Sequence, residues 1–441
     1  MKQQKKKSKI TFLIPFLILA LVTLGASLLY DILVNEHGKA KNMEPENAED
    51  TVVLELAYAY QNSQWNSAIE SIVQAFEKEY PDIEINYDIN YEDNVYEDNL
   101  SKRIARDELG DIVQLKTPEA YAAGGLLGEI SGEVADQVNS VYYYDDKVYG
   151  VGAVESTWGI LYNKSLFDSL ELKEPETYSD FLRICEALKR RNITPIGVGG
   201  GDLWHMEYWV NHFFRTDVLS KDEEWLKKCE AGEVSWTDEK PTQMMAHLCQ
   251  MFDSGYVNED WMTATDTSLS YNMSEGEFAM IYTGPWTAAA IEKLQPDMEL
   301  GWFYVPDENG TVYASDNLDT FWSITASCAE DPEKYEAAMT FLNYFYSEEA
   351  YSRLCEDSST FPLTDVEMQY EENSLLEDTW SSFAAADRRI SIYIGNEDTP
   401  QGFEKSMLEI VKETLNGDVS AEEGLQMIQK TWEQCREGEG L

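Results

Sequence analysis

VVLELAYAYQNSQWNSAIESIVQAFEKEYPDIEINYDI, running from Val52 to Ile89, decides the fold class. Val52, Leu54 and Leu56 alternate toward Tyr58 and Tyr60, the two-residue period of a half-buried strand. Ser67-Ala68-Ile69-Glu70 reads as a capping box, Ile69, Ile72, Val73 and Phe76 share one helical face, and Pro81 closes the helix. Ile83, Ile85, Tyr87 and Ile89 alternate as the next strand. Strand, helix and strand in that order imply a right-handed crossover with parallel pairing, hence α/β architecture.

Similar units follow. Asp111 to Leu115 is a short strand, and Thr177 to Arg190 a helix turning Phe181, Leu182, Cys185 and Leu188 inward before a strand from Ile193 to Val198. Asp331-Pro332 supplies an N-cap and an N1 proline for a helix with Ala338, Leu342 and Phe345 on its apolar side, and Phe403 to Leu415 is a last helical stretch. A chain of 441 residues exceeds what one core usually serves, so two lobes are expected.

Upstream, Lys2, Lys5, Lys6, Lys7 and Lys9 precede an apolar run from Ile10 to Tyr30, about 21 residues and long enough to span a bilayer. Lysines stay on the cytoplasmic side, so everything after Asp31 is expected outside it. Retention as an anchor is preferred, because a signal core spans only about 7–15 residues, with cleavage after Ser27 the alternative. Residues 32–50, polar and containing Pro45, read as a flexible tether. The first cysteine is Cys185, so there is none beside this segment to carry a lipid. The six cysteines hold no CxxC pair, and both disulfides and buried free thiols are open to them.

A formal net charge of −49, from 82 acidic against 33 basic residues, repels phosphate backbones and excludes nucleic acid. With 43% hydrophobic and 12% aromatic residues the acid reads as a solvated surface over a real core. GxSxG, Walker, HExxH and dinucleotide motifs are absent, and Gly199-Gly200-Gly201 reads as a tight turn. No catalytic residue, metal site or cofactor is expected, and His205 and His212 are poorly spaced for a metal pair.

Aromatic residues beside polar ones recur in stretches that read as loops: Tyr60 to Trp65, Glu155 to Trp158, Asp202 to His205, Gly284 to Trp286, and Asp316 to Trp322. Sugars call for this mixture, since pyranose faces stack on flat rings while hydroxyls bond Asp, Glu, Asn and indole N–H groups. Trp158, Asp316 and Trp322 are therefore site candidates, although each tryptophan is equally a core residue by type.

The chain resembles the family 1 extracellular solute-binding proteins, whose best-known member is maltose-binding protein. The resemblance rests on Phe76 to Ile85, Val154-Glu-Ser-Thr-Trp-Gly-Ile-Leu-Tyr-Asn-Lys164, Glu275-Gly-Glu-Phe-Ala-Met-Ile-Tyr-Thr-Gly-Pro-Trp286 and the helix from Asp331 to Ser347, in the family's order. It implies a hinge-joined, two-lobed periplasmic-binding-protein fold in which each lobe has a mainly parallel sheet flanked by helices. Lobe 1 would comprise 51–153 plus 313–361, and lobe 2 would comprise 154–312 plus 362–441. Crossings are expected near Val151–Ser156, Pro306–Ser315 and Ser358–Thr364. By the same resemblance, Tyr60, Asn62, Ser63, Trp65, Glu155, Trp204, His205, Trp286 and Phe403 are ligand residues, whereas Asp111 braces its loop. Leu115, where the maltose binder has a tryptophan, and the following Thr117, Pro118 and Glu119 depart from that pattern, so maltose itself is not implied.

The expected function is capture of a carbohydrate, an oligosaccharide by the aromatic content, for an ABC permease, by a monomer touching the membrane only through its N-terminal segment. A cationic solute such as a polyamine, held by Glu155, Asp316 and Asp319, is the first alternative. A glycosidase or lyase using a carboxylate pair is the second, and a surface adhesion or sensor role the third.

Overall fold

The computed structural model describes residues 51–438 except 60–62, 89–92, 107, 319, 369–373, 396–398 and 401. The apolar run Ile10–Tyr30 and the tether lie outside the described residues, as do Tyr60 and Asn62. No helix among the described residues is long and apolar enough to cross a membrane.

The strands in chain order are β1 (Val52–Ala57), β2 (Ile83–Asp88), β3 (Ile112–Leu115), β4 (Leu127–Gly128), β5 (Val141–Tyr144), β6 (Lys147–Gly152), β7 (Glu155–Ser156), β8 (Gly159–Asn163), β9 (Thr194–Gly197), β10 (Phe278–Thr283), β11 (Leu300–Phe303), β12 (Tyr313–Ser315), β13 (Asn317–Leu318), β14 (Phe321–Thr325) and β15 (Arg388–Ile390). One lobe is built on the sheet β2-β1-β3-β14-β6-β5, with β4 on β14, and the other on β11-β8-β10-β9. Small pairs, β12 with β15 and β13 with β7, complete the set.

β1 and β2 pair in parallel from Val52–Ile83 to Ala57–Asp88, across the helix Ser63–Glu79. That helix begins four residues before the expected capping box. Ser67 is an interior position, because Trp65 extends the apolar stripe of Ile69, Ile72, Val73 and Phe76 by one turn and is itself 1% exposed. The expectation of mainly parallel sheets needs correction. Parallel pairing holds at β1–β2, β1–β3 and β9–β10, while β14 runs antiparallel to β3, β4 and β6, and β8 antiparallel to β10 and β11. The cause is connectivity: β14 and β8 each arrive from the opposite lobe, entering at the end where β3, β6, β10 and β11 finish.

The helix caps follow local chemistry. Thr177 accepts from Asp180 N to open Tyr178–Lys189, and Asp331 accepts from the backbone N–H of Glu333 and Lys334 ahead of Pro332–Phe345. In the first lobe Phe76 stacks on Tyr80 and meets Phe341 edge-on at 5.2 Å. In the second, Phe403, the first residue of the helix Phe403–Leu415, lies 5.4 Å from Trp236 and 4.8 Å from Trp432, ring centre to ring centre. All six cysteines are free thiols, and burial pushes those of Cys229 and Cys328 up to about 12.

Candidate functional site

Register locates the junction between the lobes. The last residue of β6, Gly152, pairs with the first of β14, Phe321, which also pairs with the last of β3, Leu115. In the other sheet, Gly159 at the start of β8 pairs with Thr283 at the end of β10. Between them β7 and β13 run antiparallel, Glu155 opposite Leu318, and Phe361 from a third passage exchanges backbone hydrogen bonds with Glu155 at 2.9 and 2.7 Å. Three passages laced by so few bonds make a hinge, and the loops at these sheet ends face the cleft beside it. Lys116, just after β3, reaches across to Glu404 of the second lobe at 3.6 Å.

Glu155 and Asp316 meet at this hinge. Antiparallel pairing of Asn317 with Ser156 puts Glu155, Thr157, Asp316 and Leu318 on one strand face. Burial first, then the hydrogen bond to Asp316 and its charge, push the Glu155 carboxyl up to about 9 against the pull of Arg389. The pair therefore holds a proton through the neutral range and offers both a donor and acceptors. Beside it, the Thr157 hydroxyl meets the Tyr304 hydroxyl at 2.9 Å and donates to Ser315 O at 2.7 Å.

The second lobe supplies rings. Trp204, partly exposed, lies 5.7 Å from Tyr208, which lies 5.0 Å from Trp158, itself 5.6 Å from Tyr393. Gly199 to Gly201 precede the helix Leu203–Phe213, which carries Trp204 and Tyr208, in a tight turn. Gly200 and Gly201 donate to Trp261 O and Ala264 O, and a Cβ on Gly201 would stand 2.7 Å from the carbonyls of Thr263 and Ala264. Trp286, partly exposed, follows β10 and covers Gly284 so closely that a Cβ there would fall 2.1 Å from its ring.

Other candidates lie elsewhere. Trp65 and Trp322 are each 1% exposed in the first-lobe core, Trp322 against Tyr58 and Phe345, and Phe403 is fully buried in the second. Trp322 belongs to the strand β14 and not to a loop, and alternation along that strand turns its ring into the core on one face of the sheet. Ser63 opens its helix beside the undescribed Tyr60 and Asn62. His205 is 1% exposed, with neither ring nitrogen hydrogen-bonded and Nε2 3.6 Å from Asp266 Oδ1. Trp158, 5% exposed, underlies Tyr208 and Trp204 rather than standing open. Among the described residues no cluster suits a metal ion. A groove of about 890 Å3 lies at the far end of the first sheet, where Asp111 accepts from Glu55 N at 2.8 Å and from Lys334 Nζ at 2.9 Å, bracing that loop away from the cleft. The structure adds Tyr208 and Tyr393 to the pile of rings and Lys116 and Glu404 to the contact between the lobes, and no local motif distinguishes these four in the sequence from surface or core residues.

The bacterial extracellular solute-binding protein profile matches residues 62–352, which include the hinge strands and every strand of the two main sheets except β1. The chain belongs to this family. This solute-binding protein is 22% identical over 314 residues to a multiple sugar-binding protein of Streptococcus mutans, covering 68% of this chain and 74% of that one. To the melibiose/raffinose/stachyose-binding protein of Bacillus subtilis it is 23% identical over 317 residues, 67% and 70% of the two chains. Among solved structures, a chitin oligosaccharide binding protein superposes with a TM-score of 0.78 at 21% identity, covering 88% of this solute-binding protein and all of the other. A solute-binding protein in complex with raffinose gives 0.72, also at 21% identity and 88% coverage of this chain. These likenesses establish the two-lobed fold.

Proposed function

We propose that this protein captures a carbohydrate outside the cytoplasm, between its two lobes, and delivers it to an ABC permease. The reading rests on one observation: partly exposed Trp204 and Trp286 follow β9 and β10 at the end of the second sheet where β8 enters from the hinge strands that carry Glu155 and Asp316. Rings stack on sugar faces, and a protonated carboxyl can both donate to and accept from hydroxyls. Relatives whose names specify melibiose, raffinose, stachyose and chitin oligosaccharides agree with it. The ligand favours the closed form and shifts the population toward it.

The apolar run Ile10–Tyr30 tethers the protein to the membrane as the one lipid contact, and the protein acts as a monomer. The ligand residues within this proposal are Tyr60, Asn62, Ser63, Glu155, Trp204, Trp286 and Asp316, with His205 packed against Trp204 and Trp158 against Tyr208. The lobes divide as 51–153 plus 313–361 and 154–312 plus 362–441. Cleavage chemistry is disfavoured because the family matched is one of solute-binding proteins. A cationic solute is disfavoured by the buried Arg215 guanidinium, 5.8 Å from the Trp158 ring.

A thermal-shift screen of the full chain tests this, with raffinose, stachyose, chitin oligosaccharides, polyamines and amino acids. A sugar bound only by the native state raises the melting temperature. A shift with polyamines and silence with every sugar would overturn the proposal.

A further inference from the structure

A cation without an ionic partner lies beneath the hinge end of the second lobe. Arg215 is fully buried in the six-residue π-helix Phe214–Leu219, which continues the helix Leu203–Phe213. Its Nη2 donates to the Tyr282 hydroxyl at 3.2 Å, and its guanidinium carbon stands 5.8 Å from the Trp158 ring centre. Nε and Nη1 have no hydrogen-bond partner, and no ion pair to Arg215 forms among the described residues. Burying a cation without a carboxylate is costly, and π-helical turns are rare and concentrate at functional sites. Both occur here, under Trp158 and the last strand residues before the Gly284–Trp286 turn.

If the cleft holds a sugar, as proposed above, this arrangement has a purpose. We propose that Arg215 is a positioning residue of the sugar site: its guanidinium holds Trp158 by the ring face and Tyr282 by the hydroxyl, and so sets the pile of rings that runs through Tyr208 to Trp204. Trp158 follows Thr157, which is bonded to Tyr304 and Ser315, so the same contact fixes the rings relative to the hinge strands. Removal from water strengthens a cation over a ring, and the planar fork of arginine can stack and donate together where lysine cannot.

The test compares the full chain with its Arg215→Met and Arg215→Lys variants, measuring sugar-free melting temperature and, by calorimetry, the Kd for raffinose and for a chitin oligosaccharide. Replacing a buried ion with an apolar side chain of similar volume is often neutral for stability. Arg215→Met is therefore expected to melt within a few degrees of wild type, while its Kd rises about tenfold or more through the misplaced rings. Arg215→Lys, which keeps the charge and loses the fork, should fall between, and it carries the test should the methionine variant not fold. Wild-type affinity in either folded variant, or a lowered melting temperature with unchanged Kd, overturns the positioning role and leaves the carbohydrate reading standing. Failure of the wild-type chain to bind any sugar overturns both.

Discussion

Trp286 and Glu155 test at single residues what kind of contact dominates the cleft. On the proposed function Trp286 is a stacking platform and loses its whole ring on truncation, whereas Glu155 would contribute one hydrogen-bonding group among several. Trp286→Ala is expected to raise Kd about tenfold or more, and Glu155→Ala by less. The reverse ranking in calorimetry would favour charge pairing. Glu155 also sets a pH dependence. Its carboxyl is raised to about 9 in the folded protein, above the unfolded value near 4.3, so the native state keeps a proton that the unfolded chain releases. The stability it contributes is complete below the unfolded value and is lost as pH rises through about 9. Glu155→Gln, neutral at all pH, should melt higher than wild type at pH 9, with the advantage vanishing toward pH 4. A constant difference across that range would sink the shared-proton account. Residue type alone could not separate these cleft residues from Trp65, Trp322 and Phe403, because the cue of a ring beside polar neighbours is the same for a loop and for an alternating strand or helix end.

Elements were legible wherever cap and period agreed. Asp331-Pro332 opened its helix as expected, and Phe403 to Leu415 is helical at the expected bounds, yet its first ring faces the core. The Ser67 box misled because its four residues fit the motif while the apolar stripe had already begun at Trp65. The Gly284-Pro285-Trp286 turn works as a unit, since the Trp286 ring lies over a position that only glycine can hold. Gly284→Ala should therefore turn that ring away and raise the sugar Kd to within about threefold of Trp286→Ala, with a small change in sugar-free melting temperature. An unchanged Kd would show that the ring direction does not matter to the ligand.

At the scale of the molecule, two lobes followed from chain length, but the mixed sheets did not. Whether a strand runs parallel or antiparallel depends on which lobe the chain comes from, and β8 and β14 each arrive through the hinge, a fact no local period records. The net charge of −49 is likewise a property of the whole surface, and it separates the two ligand classes. A cation would be drawn by that field and by any ionised cleft carboxylate, and screening, with a Debye length of about 8 Å in physiological salt, would weaken its binding. A neutral sugar would feel the field only where charges meet between the lobes, as Lys116 and Glu404, respectively 40% and 24% exposed, do in an ion pair worth about 0–1 kcal/mol. Between about 50 and 500 mM salt the sugar Kd should therefore move less than about threefold, and Glu404→Gln should reduce even that. A tenfold loss across the same range, measured by calorimetry, would mean that the cleft grips a charge, and the rings would then serve a cation instead of a pyranose face.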